Sequence, residues 1–146
     1  MNDDQILAYF EALQMPEVTK SKALSTIAFY RDNQLIVDLK DCFLNQQKDA
    51  DKNIRYDKLW LFSDNHWAEA DISNGKIAGD LCSVSQKMAR YDFSASDSNF
   101  ADSNNESYLK LDCLLDDRLV ARFQSFGINR KFLWDIFKKH IKPRVI

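Results

Sequence analysis

Glycine is scarce in this sequence, because only Gly75, Gly79 and Gly127 occur in 146 residues. A phosphate-binding loop needs several glycines at close, fixed spacing so that its backbone can approach the phosphates, and these three do not supply one. A nucleophile elbow needs a serine between two glycines, and no serine has that setting. The sequence therefore carries neither of these catalytic signatures.

Histidine and cysteine are also scarce. The two histidines are His66 and His140, and the three cysteines, Cys42, Cys82 and Cys113, are widely spaced. No cysteine pair has the short spacing of a zinc or redox motif, and no histidine has a second metal ligand at a local spacing. We therefore assign no catalytic residue, no metal ligand and no cofactor, and we expect the thiols to be reduced.

Long apolar runs are absent, since none approaches the roughly 20 residues that span a bilayer. The N-terminus is acidic where a secretory signal would be basic. Hydrophobic residues make up 45% of the chain and charged residues 29%, which is ordinary for a soluble globular protein. We expect a single cytoplasmic domain over residues 1–146 that is not transmembrane.

Helical patterns dominate residues 1–45. Asn2 precedes two aspartates and suits a helix start, and the apolar residues from Ile6 to Leu13 recur at helical spacing. A second helical pattern runs from Val18 to about Arg31. Residues 34–44 fit either a helix or a strand, and residues 45–53 are polar and predict a loop.

Strand patterns begin near Ile54. Two apolar runs flank Ser63-Asp64-Asn65 and predict a β-hairpin, and Asn74-Gly75 predicts a second turn that starts a strand at Lys76. Asp116-Asp117 predicts a further tight turn. The remaining strand-like runs are Leu81–Val84, Met88–Phe93, Tyr108–Leu115 and Leu119–Phe126.

A polar loop and an amphipathic helix complete the chain. Residues 94–107 are rich in Ser, Asn and Asp, lack the glycine of a calcium loop, and are long enough to suggest a functional or disordered segment. Asn129 suits an N-cap, and an apolar stripe then runs to Lys142, before Pro143. The stripe consists of Phe132, Leu133, Ile136, Phe137 and Ile141.

These patterns together predict an α+β fold. A helical N-terminal region precedes a twisted antiparallel sheet of about five to seven strands, and the C-terminal amphipathic helix packs on that sheet. Residues 55–142 hold the sheet and its closing helix.

Positive charge is concentrated at the C-terminal end. From Arg118 to Ile146, eight Lys and Arg residues outnumber one acid, Asp135, so this segment carries +7 while residues 1–117 carry −9. Such asymmetry indicates an anionic partner, or pairing with the acidic part of the same protein. Arg118 and Arg122 are an even number of residues apart on a predicted strand and are expected to share a face.

The candidate partner-binding residues are therefore four cations and two aromatic residues. Lys131 and Lys138 lie on the helix face opposite the apolar stripe, and both can pair with Asp135. Trp67 follows a turn and is a candidate exposed anchor, whereas Trp60 and Trp134 are expected in the core. Phe100 either fastens its polar loop or recognises a partner. The complete set is Arg118, Arg122, Lys131, Lys138, Trp67 and Phe100.

The run from Leu59 to Asn65, the run from Leu119 to Phe123 and the helix that bears Trp134 resemble a bacterial pleckstrin-homology-like domain over about residues 56–142. The resemblance implies a bent antiparallel sheet plugged by a C-terminal helix. It does not cover the first 50 residues, and it implies no ligand and no site residue, because the basic residues here lie on the last strand and helix.

Three functional hypotheses follow. The first is a small non-catalytic protein-binding protein, such as an adaptor, an inhibitor or an immunity-type partner, that docks an acidic surface. The second is a binder of anionic lipid or nucleic acid through the basic C-terminal face, although a pI of about 5.7 is low for that class. The third is an enzyme with an unrecognised carboxylate or His66 centre.

Overall fold

Seven antiparallel strands and three α-helices are present in the computed structural model, which describes residues 1–83 and 90–145. The described strands form one four-stranded and one three-stranded sheet, and the chain divides into two compact units, Met1–Val84 and Ser85–Ile146. The predicted α+β class is confirmed, and the strand count lies at the top of the predicted range. The single-domain assignment stays a prediction.

The first unit begins with two helices, α1 (Asp3–Leu13) and α2 (Glu17–Asp32). The side chain of Asn2 accepts a hydrogen bond from the backbone of Gln5, and the side chain of Gln5 accepts one from the backbone of Asn2. This reciprocal capping box satisfies two backbone donors at the start of α1. The predicted helix start is confirmed.

Four strands follow in the order of the chain: β1 (Asp41–Lys48), β2 (Ile54–Phe62), β3 (His66–Asp71) and β4 (Ala78–Ser83). The β2–β3 hairpin forms at Asp64-Asn65 as predicted. The turn at Asn74-Gly75 lies between β3 and β4, but the strand that follows it starts at Ala78 and not at Lys76.

Strand β1 settles one ambiguity and corrects one prediction. Within residues 34–44, the chain makes turns and then enters a strand at Asp41. The loop predicted for residues 45–53 is wrong in its first four residues, which continue β1. Asn45 and Gln46 are buried there, where their amides donate hydrogen bonds to Asp57 at 3.0 Å and to Tyr56 at 3.3 Å. A polar side chain tolerates burial when it is hydrogen-bonded, so the polarity of these residues did not indicate a loop.

Both faces are buried over the middle of β1 and the last four residues of β2. On one face lie Cys42, Leu44, Leu59 and Leu61, and on the other Phe43, Trp60 and Phe62. Strands buried on both faces have continuous apolar runs instead of alternating ones. The run from Leu59 to Phe62 therefore reflects this position, and the prediction that Trp60 belongs to the core is confirmed.

The second unit contains β5 (Arg90–Ala95), β6 (Tyr108–Leu115), β7 (Arg118–Phe126) and α3 (Asn129–Ile136). A π-helical turn (Phe137–Ile141) and a 3-10 turn (Lys142–Arg144) continue α3. Asp116 and Asp117 both have positive φ, 51° and 60°, as a tight β6–β7 turn requires. The predicted strand ends at Val84 and Met88 lie outside the described residues.

The predicted apolar stripe packs α3 on this sheet. Leu133, Ile136, Phe137 and Ile141 are buried, and Phe132 is half-buried. The prediction that Asn129 is the N-cap is wrong, because Asn129 is the first helical residue and Ile128 occupies the N-cap position. No helix among residues 1–83 and 90–145 has the length and apolarity needed to cross a membrane.

Candidate functional site

The loop predicted for residues 94–107 is wrong in its first two residues, which continue β5, and a fully buried arginine organises the remainder, residues 96–107. The Arg130 guanidinium donates hydrogen bonds to the backbone carbonyls of Gly127, Asn99 and Asp102, each at 2.9 Å, and to Oδ1 of Asp97 at 2.8 Å. A buried arginine is tolerated when its donors and its charge are satisfied in this way. Arg130 therefore contributes to the positive excess of the sequence without presenting a surface cation.

The loop also builds its own turns. Oδ1 of Asp97 accepts a hydrogen bond from the backbone of Asn99, and Oδ1 of Asp102 accepts one from Asn104, each at 3.0 Å. These are local Asx turns, which explain the abundance of Asp and Asn. The pKa of Asp97 is lowered, first by a hydrogen bond from the Ser107 side chain and then by Arg130.

Phe100 makes the contacts expected of a residue that fastens its loop. Its ring centroid lies 5.5 Å from that of Trp134 and 5.8 Å from Cζ of Arg130. Phe100 is half-buried, so its loop is attached to α3 through an aromatic contact and a cation–π contact. A role in recognition stays a prediction.

Around Trp134, β5 and α3 form an aromatic patch, which we define as Tyr91, Phe93, Phe100, Trp134 and Phe137. Trp134 stacks on Phe137 at 4.7 Å, Tyr91 meets Phe137 edge-on at 4.7 Å, and Phe93 meets Trp134 at 6.4 Å. Trp134 is half-buried and not fully in the core as expected, and Phe93 is 60% exposed. Sequence reasoning missed Phe93, because a strand pattern does not show which strand lies at the edge of a sheet.

Two exposed lysines flank the tryptophan of this patch. Lys131 lies three residues before Trp134 and Lys138 four residues after it, which is the spacing of neighbours on one helix face. Lys138 forms an ion pair with Asp135 at 3.4 Å. Within the described part of the chain, Lys131 makes no ion pair. An aromatic centre is thus bordered by positive charge.

Arg122 lies away from these lysines, on the sheet face opposite α3. Its Nε and Nη2 donate to the two carboxylate oxygens of Asp112 at 2.9 and 3.2 Å, and this hydrogen-bonded pairing raises the pKa of Arg122. The pair lines a depression of about 330 Å³. The other polar residues that line it are Asp92, Ser94, Lys110 and Gln124.

The predicted common face of Arg118 and Arg122 is wrong. Arg122 pairs with Asp112 and Arg118 with Leu115, because the register shifts between Cys113 and Leu114. Asp112 and Leu115 are an odd number of residues apart on β6, so their side chains lie on opposite faces of the sheet. Because directly opposite residues share a face, Arg122 and Arg118 also lie on opposite faces. A β-bulge therefore separates two cations that regular alternation would have joined.

Trp67 is buried, with 2% of its surface exposed, and it contacts Phe62 at a ring distance of 5.2 Å. Its expected exposure is therefore wrong. His66 is exposed at the start of β3, and its carbonyl accepts a hydrogen bond from the backbone of Ser63. Among the residues that the structure describes, no group of three or more His, Cys, Asp and Glu side chains is arranged to hold a metal ion.

Comparison with protein-family models, with curated proteins and with solved structures finds no match to this chain. The resemblance to a bacterial pleckstrin-homology-like domain stays a prediction. The aromatic patch with Lys131 and Lys138 is the candidate site, because it brings together partly exposed aromatic rings and two of the predicted partner-binding cations.

Proposed function

We propose that this chain is a small binding protein that docks an acidic surface of a partner protein through the aromatic patch, Lys131 and Lys138. The observation that carries the proposal is the position of Trp134, which contacts the exposed ring of Phe93 and lies between two exposed lysines. Binding energy at protein interfaces is concentrated in central aromatic anchors with a polar rim. The lysines would steer an acidic partner toward that anchor.

The distribution of ion pairs favours a protein partner over a phosphate polymer. Arg122 is paired with Asp112, Arg130 with Asp97, and Lys138 with Asp135. Phosphate polymers are bound by arrays of uncompensated cations that release counterions. Carboxylates interspersed among the cations weaken such an array, and the few cations that remain suit a small number of partner carboxylates around an apolar centre.

Affinity capture with charge-reversed variants tests the proposal. The full chain would be immobilised as wild type, as K131E/K138E and as K76E, which alters an exposed lysine of the first unit. A partner should be retained by wild type and K76E and depleted by K131E/K138E, as quantified by mass spectrometry. With the purified partner, K131E/K138E should bind about tenfold more weakly than wild type. The affinity of wild type should decrease as the salt concentration is raised from about 50 to 300 mM.

Two results count against the proposal. Equal retention of every protein by wild type and K131E/K138E would remove its basis. Binding of the same surface to anionic vesicles or to nucleic acid, with a steep loss in salt and the same dependence on lysine, would support the alternative of an anionic-lipid or nucleic-acid binder. The R122Q variant is a useful comparison, because Arg122 is already paired with Asp112. This substitution should change the affinity for the partner by about twofold or less.

We also propose a pleckstrin-homology-like architecture and a cytoplasmic location for this chain. The first is supported by a series of antiparallel strands followed by a helix that carries Trp134. The second is supported by the three cysteines, which are free thiols, as is usual in a reducing compartment.

A further inference from the structure

Strand β5 lies at the edge of its sheet. Among the described residues it pairs with β6 on one side only, in a sheet of order β5-β6-β7. Five of its six residues are exposed and Tyr91 is half-buried. Edge strands present backbone groups to which another extended chain can add.

The hydrogen-bond pattern identifies which backbone groups face the open edge. The N–H of Ser96 donates to the carbonyl of Tyr108 at 3.1 Å, so the backbone of Ser96 points toward β6. Antiparallel ladders alternate, so Ser94 and Asp92 also point toward β6. The N–H and C=O groups of Tyr91, Phe93 and Ala95 therefore point away from β6.

The same residues carry the aromatic side of the edge. The rings of Tyr91 and Phe93 contact Phe137 and Trp134, so their side chains lie on the face covered by α3. Directly opposite residues share a face, so every second side chain of a strand added beside β5 would lie next to Phe93 and Trp134. A single added strand would therefore meet both the open backbone groups and the aromatic surface.

The two lysines indicate which side chains an added strand would need in order to bind here. Lys131 and Lys138 are seven residues apart, or about 10 Å along a helix axis. Same-face side chains of a strand recur every 7 Å or so, so the two neighbours of a central residue are about 13 Å apart, within reach of flexible lysine side chains. A central aromatic side chain with an acid two residues before and two residues after it would match Trp134 and both lysines.

We propose that β5 recognises an extended acidic segment of a partner protein, which adds to the sheet as an antiparallel strand with an acid–x–aromatic–x–acid pattern facing α3. The inference rests on the proposed function and specifies how the partner is held. Backbone hydrogen bonds to Tyr91 and Phe93 would provide affinity, and the alternate side chains would provide selectivity.

Synthetic peptides test it with the full-length protein. The probe is an acetylated, amidated heptapeptide, Thr-Glu-Thr-Phe-Thr-Glu-Thr. In antiparallel addition the residues that face α3 are also those whose N–H groups point at β5. N-methylation of the Glu and Phe nitrogens should therefore weaken binding by about tenfold or more, whereas N-methylation of the central Thr nitrogens should change it by about threefold or less.

Hydrogen exchange gives an independent readout of the same contact. The amides of Tyr91, Phe93 and Ala95 should exchange more slowly when the unmodified peptide is bound, and K76Q should behave as wild type. K131Q/K138Q should bind the peptide about tenfold more weakly than wild type. The amide spectrum of this variant should show that its fold is unchanged.

The outcomes separate the two proposals. If the peptide binds in a lysine-dependent manner but both N-methylated forms bind equally, strand addition is wrong and the docking surface stands. If the peptide does not bind while a partner is captured through Lys131 and Lys138, strand addition is again wrong. If the free protein sediments as a dimer with its β5 amides already protected, a second copy occupies the edge and the proposal is overturned. If neither peptide nor partner depends on the lysines, both proposals fail.

Discussion

Nη1 of Arg130 lies 2.8 Å from Oδ1 of Asp97, 33 residues earlier in the chain. This contact joins the first turn of α3 to the loop of residues 96–107. The arginine is fully buried, while the aspartate side chain is 41% exposed. The pair therefore holds an irregular loop on a regular scaffold, next to Phe100 and Trp134 of the candidate site.

Replacing the buried arginine should destabilise the second unit. R130M keeps an apolar stem of similar length but leaves the carbonyls of Gly127, Asn99 and Asp102 without their donor. We expect the free energy of unfolding in urea to fall by roughly 3 kcal/mol. R118M alters an exposed arginine that makes no ion pair among the described residues, and it should stay within about 0.5 kcal/mol of wild type. A loss below about 1 kcal/mol in R130M would contradict the structural role.

Stability should depend on pH through Asp97. The hydrogen bonds from Ser107 and Arg130 lower the pKa of Asp97 in the folded state, whereas the pKa of an aspartate in the unfolded chain is about 3.9. A lowered folded pKa means that the stabilisation is complete above the unfolded pKa and is lost as pH falls through the folded pKa. The difference in urea midpoint between wild type and D97N should thus be constant above about pH 5 and shrink below about pH 4. An unchanged difference at about pH 3 would refute this assignment.

Gly127 should not accept a side chain. Its φ is +57°, and a Cβ there would meet Oδ1 of Asn105 and, at 3.1 Å, the carbonyl oxygen of Ser103. G127A should lower the free energy of unfolding by about 2 kcal/mol, because left-handed strain adds to the steric conflict with the loop. G75A is the matched control, since nothing lies within 4 Å of a Cβ at Gly75 and its φ is not in the left-handed region. Equal stability of the two variants would show that the loop moves away without cost.

Alkylation should distinguish the three thiols. Burial raises the pKa of both Cys42 and Cys113 to about 12; partial burial also raises the pKa of Cys82, but the Cys82 side chain on β4 is exposed to a reagent. The thiolate is the reactive form and must also be reached by the reagent. Native protein treated with N-ethylmaleimide near pH 8 should gain one adduct, at Cys82, and denatured protein should gain three. Rapid native labelling of Cys42 or Cys113 in mass spectrometry would show that its unit opens readily.

Local signals in the sequence were sufficient for several elements. The helix start at Asn2 and the hairpin turns at Asp64-Asn65 and Asp116-Asp117 depend on residues close together in the chain. Their conformations follow from steric and hydrogen-bonding preferences of those few residues. The apolar stripe of α3 was equally clear, because a helical period does not depend on what covers it.

Predictions failed where the outcome depended on distant residues. Asn45 continues β1 because β1 pairs with β2, and Asp57, 12 residues later, accepts a hydrogen bond from its buried amide. Trp67 is buried by packing that its neighbours in the sequence do not reveal. Arg118 and Arg122 are separated by a β-bulge in β7 itself, where Val120 has no opposite residue in the register with β6, and the spacing of the arginines alone does not reveal this.

The basic C-terminal segment shows both contributions. The sequence alone determined its excess of positive charge and the amphipathic period of α3, because composition and period are properties of the chain. Tertiary structure decided the use of that charge: Arg130 is buried against its loop, Arg122 is paired with Asp112, and Lys131 and Lys138 remain exposed beside Trp134. The physical reason is that the environment of a charge is set by residues brought near it through folding.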